Sequence, residues 1–285
     1  MSARVWMVGL SAGEKHFIQG GIALDLRADG RKRLTYRPIY ADGSARVKMG
    51  ATEVIASVKL DLARPNPSQP GKGKVSLFVS CSATAGPMFE GRGSEELSSE
   101  LSVALQRCLL GGKSGAGAAF DPSCLSIVDG KLCWDAYIDG LVVSADGNLL
   151  DALGAAIKAA LTNTRVPVAN VPAGASLDED PDVDLSSQET RRIDTSGVPV
   201  VVTLTKVGRH YIVDATSEEE SQMSSAVSVS INKEGRICGL TKRGGAGLDP
   251  SIIINMISVA NHVGEPLMSK LDSEIAAAEA DKQDI

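Results

Sequence analysis

Glycine-rich loops beside basic residues, short acidic runs and scattered histidines are the places where this 285-residue chain could do chemistry. The loop GGKSGAG at 111–117 has the composition of a phosphate-binding loop. That pattern, however, needs a glycine at position 107, where Arg107 stands, and the preceding segment reads as a helix rather than a strand. RGGAGLDP at 243–250 sets glycines before a helix start, where backbone N–H groups can receive an anion, but a plain loop and helix start is the simpler reading. His16, His210 and His262 lie far apart, in no HxxxH or HExxH spacing and with no cysteine-rich segment nearby, so no metal site is expected. There is no GxSxG, and a Ser-His-Asp arrangement does not follow from scattered residues. No cofactor is expected either, since no loop keeps a cofactor spacing. Asp135 and Asp139, i and i+4 on a strand, project to one face; a carboxylate pair and a polar sheet face both fit, and a solvated or interface face is expected. DATSEEES at 214–221 reads as a dense acidic turn after a strand, at the surface.

These residues need elements to position them. Residues 11–21 predict a short helix with Phe17 and Ile18 on one face, ended by Gly20 and Gly21. Strands are expected through 25–62, where Val54, Ile55, Val58 and Leu60 sit in β-rich runs broken by glycine, and again at KVSLFVSCSA. Ser94 opens a helix with Glu95 and Glu96 in its first turn, Leu97, Leu101, Leu105 and Cys108 at helical spacing, and Arg107 near its end. CLSIV, the turn Asp129-Gly130 and KLCWDAYIDGLVVSA form a hairpin in which Trp134, Ala136 and Ile138 alternate with Asp135 and Asp139. NLLDALGAAIKAALTNT then carries an apolar helix face wide enough to lie on a sheet. After a Pro, Gly, Ser and acid-rich stretch, strands restart at VPVVVTLTKV, HYIVDAT and AVSVSINKEGRICGLTK, and a helix follows Asp249-Pro250, with Pro266 expected to kink or interrupt it.

The composition, 43% hydrophobic and 22% charged, is that of an ordinary globular chain with cores of Ala, Val, Leu and Ile, because four Phe, four Tyr and two Trp stand against 29 Gly. A net charge of −6 argues against a free-standing nucleic-acid binder, so any nucleic-acid contact must be local or shared. Five cysteines without CxxC spacing read as reduced core residues. The N-terminus MSARVWMVGL lacks a signal layout and no apolar run reaches membrane-spanning length, which predicts a cytosolic or nuclear protein.

DLRADGR at 25–31, GSARVKMG at 43–50 and FEGRGSEEL at 89–97, in this order and spacing, resemble the RNase PH family and, within it, the exosome ring subunits. ADGNLLDALGAAIKAALTNTRVP at 145–167 and YIVDATSEEES at 211–221 look like the processing-protein 42 subtype, so the resemblance covers nearly the whole chain. It implies an α+β fold. The expected parts are an N-terminal helical extension at 1–24, a ribosomal-protein-S5-domain-2-like first domain at 25–170, an acidic linker at 171–197, and a smaller RNase PH-type second domain with a C-terminal helix at 198–285. It also implies a ring of paralogous subunits through which single-stranded RNA is threaded, S1/KH-type cap subunits, exosome nucleases, no membrane, and work on rRNA and other RNAs in nucleus, nucleolus and cytoplasm.

Active members of the family hold phosphate with an arginine in a loop before a helix and use an aspartate after the second domain's acidic turn. An ungapped alignment puts Leu150 at the arginine and Ala226 at the aspartate, while keeping an acid at Glu220. An apolar side chain cannot supply the forked donors that an oxyanion needs, so the resemblance implies a catalytically inactive subunit. Two further family arginines fall on Ser99 and Val103. Arg92 matches a family arginine before the helix, with a structural salt bridge as its other reading; Arg107, Lys113, Lys242 and Arg243 are the remaining candidates for RNA contact. The rival readings are a phosphate-dependent 3′-to-5′ exoribonuclease subunit whose site a partner completes, and a metabolic α+β enzyme unrelated to RNA.

Overall fold

A computed structural model describes residues 10–42, 45–86, 89, 92–110, 120–168 and 189–283. The first element among the described residues is α1 (Ala12–Ala23), started by a capping box in which Ser11 and Glu14 satisfy each other's backbone N–H groups. It runs through Gly20 and Gly21 instead of ending there. Ile18 and Ile22 are buried against Val207, Ile212 and Ala215, whereas Phe17 is exposed, so the expected pairing of Phe17 with Ile18 on one face is corrected.

The first sheet comprises β1 (Ile39–Asp42), β2 (Arg46–Met49), β3 (Thr52–Ala63), β4 (Lys74–Cys81), β5 (Ser126–Val128) and β6 (Leu132–Ser144). Its order is β1-β2-β3-β6-β4, with β5 hydrogen-bonded to β6. Only β4 and β6 are parallel among these pairs, and a parallel pair needs a long crossover, which includes α2 (Arg92–Leu110). α2 also covers the outer edge of β4, where the Val79 N–H donates to Ser102 Oγ at 2.9 Å. The expected strand CLSIV is half right: Pro122–Leu125 is a 3₁₀ turn and the strand begins at Ser126. Along β6 the alternation holds, with Trp134, Ala136 and Ile138 in the core. On the other face Asp139 is exposed, as a solvated or interface face requires, but Asp135 is buried and accepts a hydrogen bond from the Tyr137 hydroxyl.

α3 (Leu149–Asn163) lies between this sheet and the second one, and every residue from Leu150 to Leu161 is buried. A helix clasped on two sides has no solvent face, which explains Ala and Gly around most of its circumference. At Gly154 an added Cβ would stand 2.9 Å from Val201 Cγ2, so this glycine sets how near the helix lies to the second sheet. Buried Lys158 is accommodated by donating to the Val198 carbonyl at 3.1 Å.

β7 (Arg165–Pro167) and β8 (Thr190–Arg192) pair antiparallel and bracket the acidic linker, whose residues 169–188 lie outside the described ones. The second sheet follows as β9 (Val200–Val207), β10 (His210–Val213), the one-turn α4 (Ser217–Glu220), β11 (Met223–Ile231) and β12 (Ile237–Arg243), ordered β10-β9-β11-β12 and antiparallel throughout. α5 (Pro250–Gln283) packs on β9 and β11 and also reaches β1. It continues through Pro266 without interruption. Val263, Leu267 and Met268 are buried around that proline, and their packing offsets the lost backbone bond. One apolar core thus runs through both sheets. Of the cysteines, Cys108 and Cys133 are buried, Cys81, Cys124 and Cys238 are half-buried, and all are free thiols.

Gly154→Val should overpack the α3–β9 contact and cost roughly 1–3 kcal/mol. Urea unfolding would measure it, and an unchanged midpoint would refute the close packing argued for this position.

Candidate functional site

Asp214 follows β10 at a positive φ of 49° and is fully buried. Its carboxylate accepts the Arg37 backbone N–H at 2.7 Å, Arg37 Nη2 at 2.7 Å, Arg31 Nη1 at 2.8 Å and Asn148 Nδ2 at 3.0 Å. Its carbonyl accepts Arg27 Nη2 at 2.7 Å. Arg27 also donates to the Val213 carbonyl at 2.8 Å and grips Glu219 with Nε and Nη2, while the same carboxylate caps α4 through the Thr216 N–H. The acidic run is therefore not the surface turn that its composition suggests. Arg27, Arg31 and Arg37, all from one segment near the N-terminus, fold over it and pair with Glu219 and Asp214, while Glu218 stays exposed. Burial pushes the Asp214 carboxyl up, but the hydrogen bonds and charge of Arg37, with Arg31 behind it, outweigh that and hold it below the usual range.

The turn that starts α3 meets this cluster. Arg37 Nη1 donates to the Asp146 carbonyl at 2.8 Å and Ser217 Oγ donates to Asp146 Oδ1 at 2.9 Å. Gly147 has φ +78°, and a Cβ there would stand 2.4 Å from the Ala215 carbonyl oxygen. Asn148, also left-handed, turns its side-chain amide toward Asp214 and makes no capping bond to α3. Its N–H donates to Glu220 Oε1 at 3.0 Å. One turn further along, Asp151 is buried and accepts the Tyr36 hydroxyl at 2.6 Å and the Thr203 N–H at 2.9 Å; its second oxygen pairs with Thr203 Oγ1 at 2.6 Å. Burial raises this carboxyl to about 6 against the pull of those donors.

Beside this interior cluster lies an open groove of about 690 Å³ between α2 and β12. Ser99, Val103 and Arg107 of α2 form one wall, and Thr241, Lys242 and Arg243 of β12 the other. Glu95, Glu96 and Glu100 line it as well, from the N-terminal part of α2. The structure thus brings together Arg107, Lys242 and Arg243 of the expected RNA-contact residues. Arg92 begins α2, but its side chain and the whole of Lys113 lie outside the described residues. Ser99 and Val103 face the groove where longer basic side chains would add charge. Leu150 is buried in the core, and Ala226 is buried on β11 opposite Arg243 in the ladder. Among the described residues no group of three or more His, Cys, Asp or Glu is placed to hold a metal ion. Its lining thus mixes three cations, Arg107, Lys242 and Arg243, with three carboxylates, Glu95, Glu96 and Glu100.

Two family descriptions match the chain: "3′ exoribonuclease family, domain 1" over residues 39–167 and "domain 2" over residues 197–262. The chain belongs to this RNase PH family. Within it, the chain is homologous over nearly its whole length to Rrp42-type exosome components. It is 34% identical to a Dictyostelium discoideum protein described as an exosome complex exonuclease of the RRP42 type, over 94% of this chain and 98% of that one. It is 33% identical to the exosome complex component Rrp42 of Sulfurisphaera tokodaii, over 92% of this chain and 94% of the relative. A solved structure of the Archaeoglobus fulgidus exosome with RNA bound to the active site contains a chain that superposes with a TM-score of 0.71 at 28% identity, covering 90% of this chain and 96% of the other. The two-domain α+β reading therefore stands.

Asp214→Asn leaves the buried Arg37 and the half-buried Arg31 short of countercharge and should cost about 3–5 kcal/mol at neutral pH, read from denaturant midpoints; a loss below about 1 kcal/mol, the size of an exposed pair, would refute the clamp. Asp151 gives a signed pH effect. A carboxyl raised from 3.8 to about 6 on folding contributes stability that is complete below about pH 4 and lost as pH rises through 6, roughly 3 kcal/mol in all. Asp151→Asn keeps acceptor and donor atoms without the charge, so the stability difference between wild type and variant should shrink or reverse across that window. Parallel pH profiles would show that Asp151 does not titrate there.

Proposed function

We propose that the chain is a non-catalytic ring subunit of an RNA exosome, which scaffolds 3′-to-5′ RNA processing and decay, including rRNA maturation, and contributes part of the RNA path. The observation that carries this is the contrast between the two halves of the site. The groove keeps exposed Arg107 and Lys242 beside Arg243, suited to a phosphate backbone, whereas the positions aligned with the phosphate-binding arginine and the catalytic aspartate are Leu150 and Ala226, both buried. Buried apolar side chains offer neither a donor to an attacking phosphate nor a proton carrier. The exosome names of the relatives and the RNA in the Archaeoglobus fulgidus structure support the ring assignment.

On this reading the overall charge of −6 is no obstacle, because the positive field of an RNA channel is shared among subunits. Its partners are paralogous RNase PH-like subunits, S1/KH-type cap subunits and nucleases elsewhere in the complex. It works in nucleus, nucleolus and cytoplasm.

Two assays test the reading. The purified chain, given single-stranded RNA and inorganic phosphate, should release no nucleoside diphosphate, while a tagged copy should recover ring paralogues; robust phosphorolysis by the chain alone, or recovery without any such paralogue, sinks it. In the assembled complex, Arg107→Glu with Lys242→Glu should weaken RNA crosslinking to this subunit and lower the salt slope of binding by about one per charge removed. An unchanged slope would place the RNA elsewhere.

A further inference from the structure

The two edges of β3 are not equally used. On one side β6 pairs with it from Glu53 to Ala63. On the other side β2 pairs with Thr52–Ile55 alone, and the Ala56 N–H then donates to the Ala45 carbonyl at 3.0 Å. β2 begins there, with β1 folded back on its far side, so β3 projects past the hairpin. Successive residues of a strand direct their backbone groups to alternate sides. Val58, Leu60 and Leu62 therefore present theirs to the same edge as Ala56, and among the described residues no strand lies alongside them.

The apolar face of this projecting stretch loses its cover at the same place. Val54 and Ala56 are buried, Val58 and Leu60 are half-buried, and Leu62 is 41% exposed. Here the sheet and the end of α3 part to form a cleft of about 570 Å³, with Val58, Leu60 and Trp134 on the sheet side and Ala160 and Arg165 on the other. Its size is that of a ligand cleft and its lining is mostly apolar. Among the described residues Arg165 is the one charged side chain in that lining. Arg192, opposite it in the β7–β8 ladder, is paired with Glu279, whereas no ion pair among the described residues involves Arg165.

We propose that the free edge of β3, from Ser57 to Ala63, accepts an extended segment of a second protein. The segment adds a strand beside β3, sends alternate apolar side chains into the cleft and sets a carboxylate against Arg165. Strand addition takes its affinity from backbone bonds and its specificity from pockets for alternate side chains, and this edge offers both. A second copy of this chain does not fit. Paired edge to edge, it would bring Val58, Leu60 and Leu62 to the cleft side, where Arg165 calls for an acid. On the outer face Lys59 and Asp61 form an exposed pair at 2.9 Å, and charges on an edge discourage pairing with its own kind. The inference goes beyond the ring reading and needs neither RNA nor a particular catalytic state.

Two measurements on the full chain test this. In residue-resolved hydrogen exchange the Val58, Leu60 and Leu62 amides should exchange fast, while those of Lys59 and Asp61, directed to β6, stay slow. Fluorescent octapeptides alternating valine and threonine, with one glutamate placed at each position in turn, should then bind and protect the three edge amides. The best of them should bind about threefold more tightly than its lysine counterpart, the size of an exposed charge pair. Arg165→Glu, at an exposed position, should reverse that preference without moving the thermal midpoint, and Leu62→Lys should weaken both peptides. Edge amides already slow in the chain alone would mean that the chain or a second copy closes the edge, and would overturn the proposal. So would the absence of binding by any glutamate peptide, or a glutamate preference that survives Arg165→Glu. None of these outcomes bears on phosphorolysis or on the recovery of ring paralogues, which test the ring reading separately.

Discussion

The Asp214 carboxylate, buried and ringed by arginine donors, is the interaction on which the rest of this molecule depends. It belongs to the second domain by sequence, yet its partners come from residues 31–37 at the start of the chain and from Asn148 at the head of α3. Taking several charges out of water is costly, and the structure meets that cost by giving each oxygen more than one donor. Since the same carboxylate fixes Arg37, which in turn holds the Asp146–Gly147 backbone, the relation between the two sheets is set by hydrogen-bond geometry as well as by apolar packing. Packing alone tolerates small slides; a bidentate arginine does not.

Around that point α3 acts as the common wall of both sheets. Its small residues allow close approach, its buried Asp151 ties it to Thr203 of β9, and its first turn reaches Glu220. The groove between α2 and β12 then forms at the outer side of the same second sheet, with Arg243 contributing both to the groove wall and to the field at Glu220. Open surface and closed interior are one residue apart.

Periodicity made most of this architecture readable. Alternation in β6, the helical spacing of Leu97, Leu101, Leu105 and Cys108 in α2, and the broad apolar face of α3 each reflect local burial, and burial repeats with the element's own period. The site was less legible for a physical reason. DATSEEES looks solvated because composition cannot show that Arg27 and Glu219, 192 positions apart in sequence, pair. Nothing in the local pattern around Arg27, Arg31 and Arg37 marks them as countercharges to a turn in the other half of the chain. A segment with several arginines and a separate one with several acids is the signal that was available. At α1 the miss was of another kind: glycine pairs commonly end helices, but Ile22 beyond them is buried, and tertiary contact outweighed local preference.

The short ladder of β7 with β8 has a consequence for how such a chain can change over time. Because Arg165–Pro167 is zipped to Thr190–Arg192, the two ends of the acidic stretch are fixed next to each other before the stretch itself contributes anything. Its length then does not set the spacing of the two sheets, and lengthening it twofold adds only about 0.6 kcal/mol of closure entropy. Insertions, deletions and changes of charge between those anchors therefore leave the arginine clamp and the groove in register.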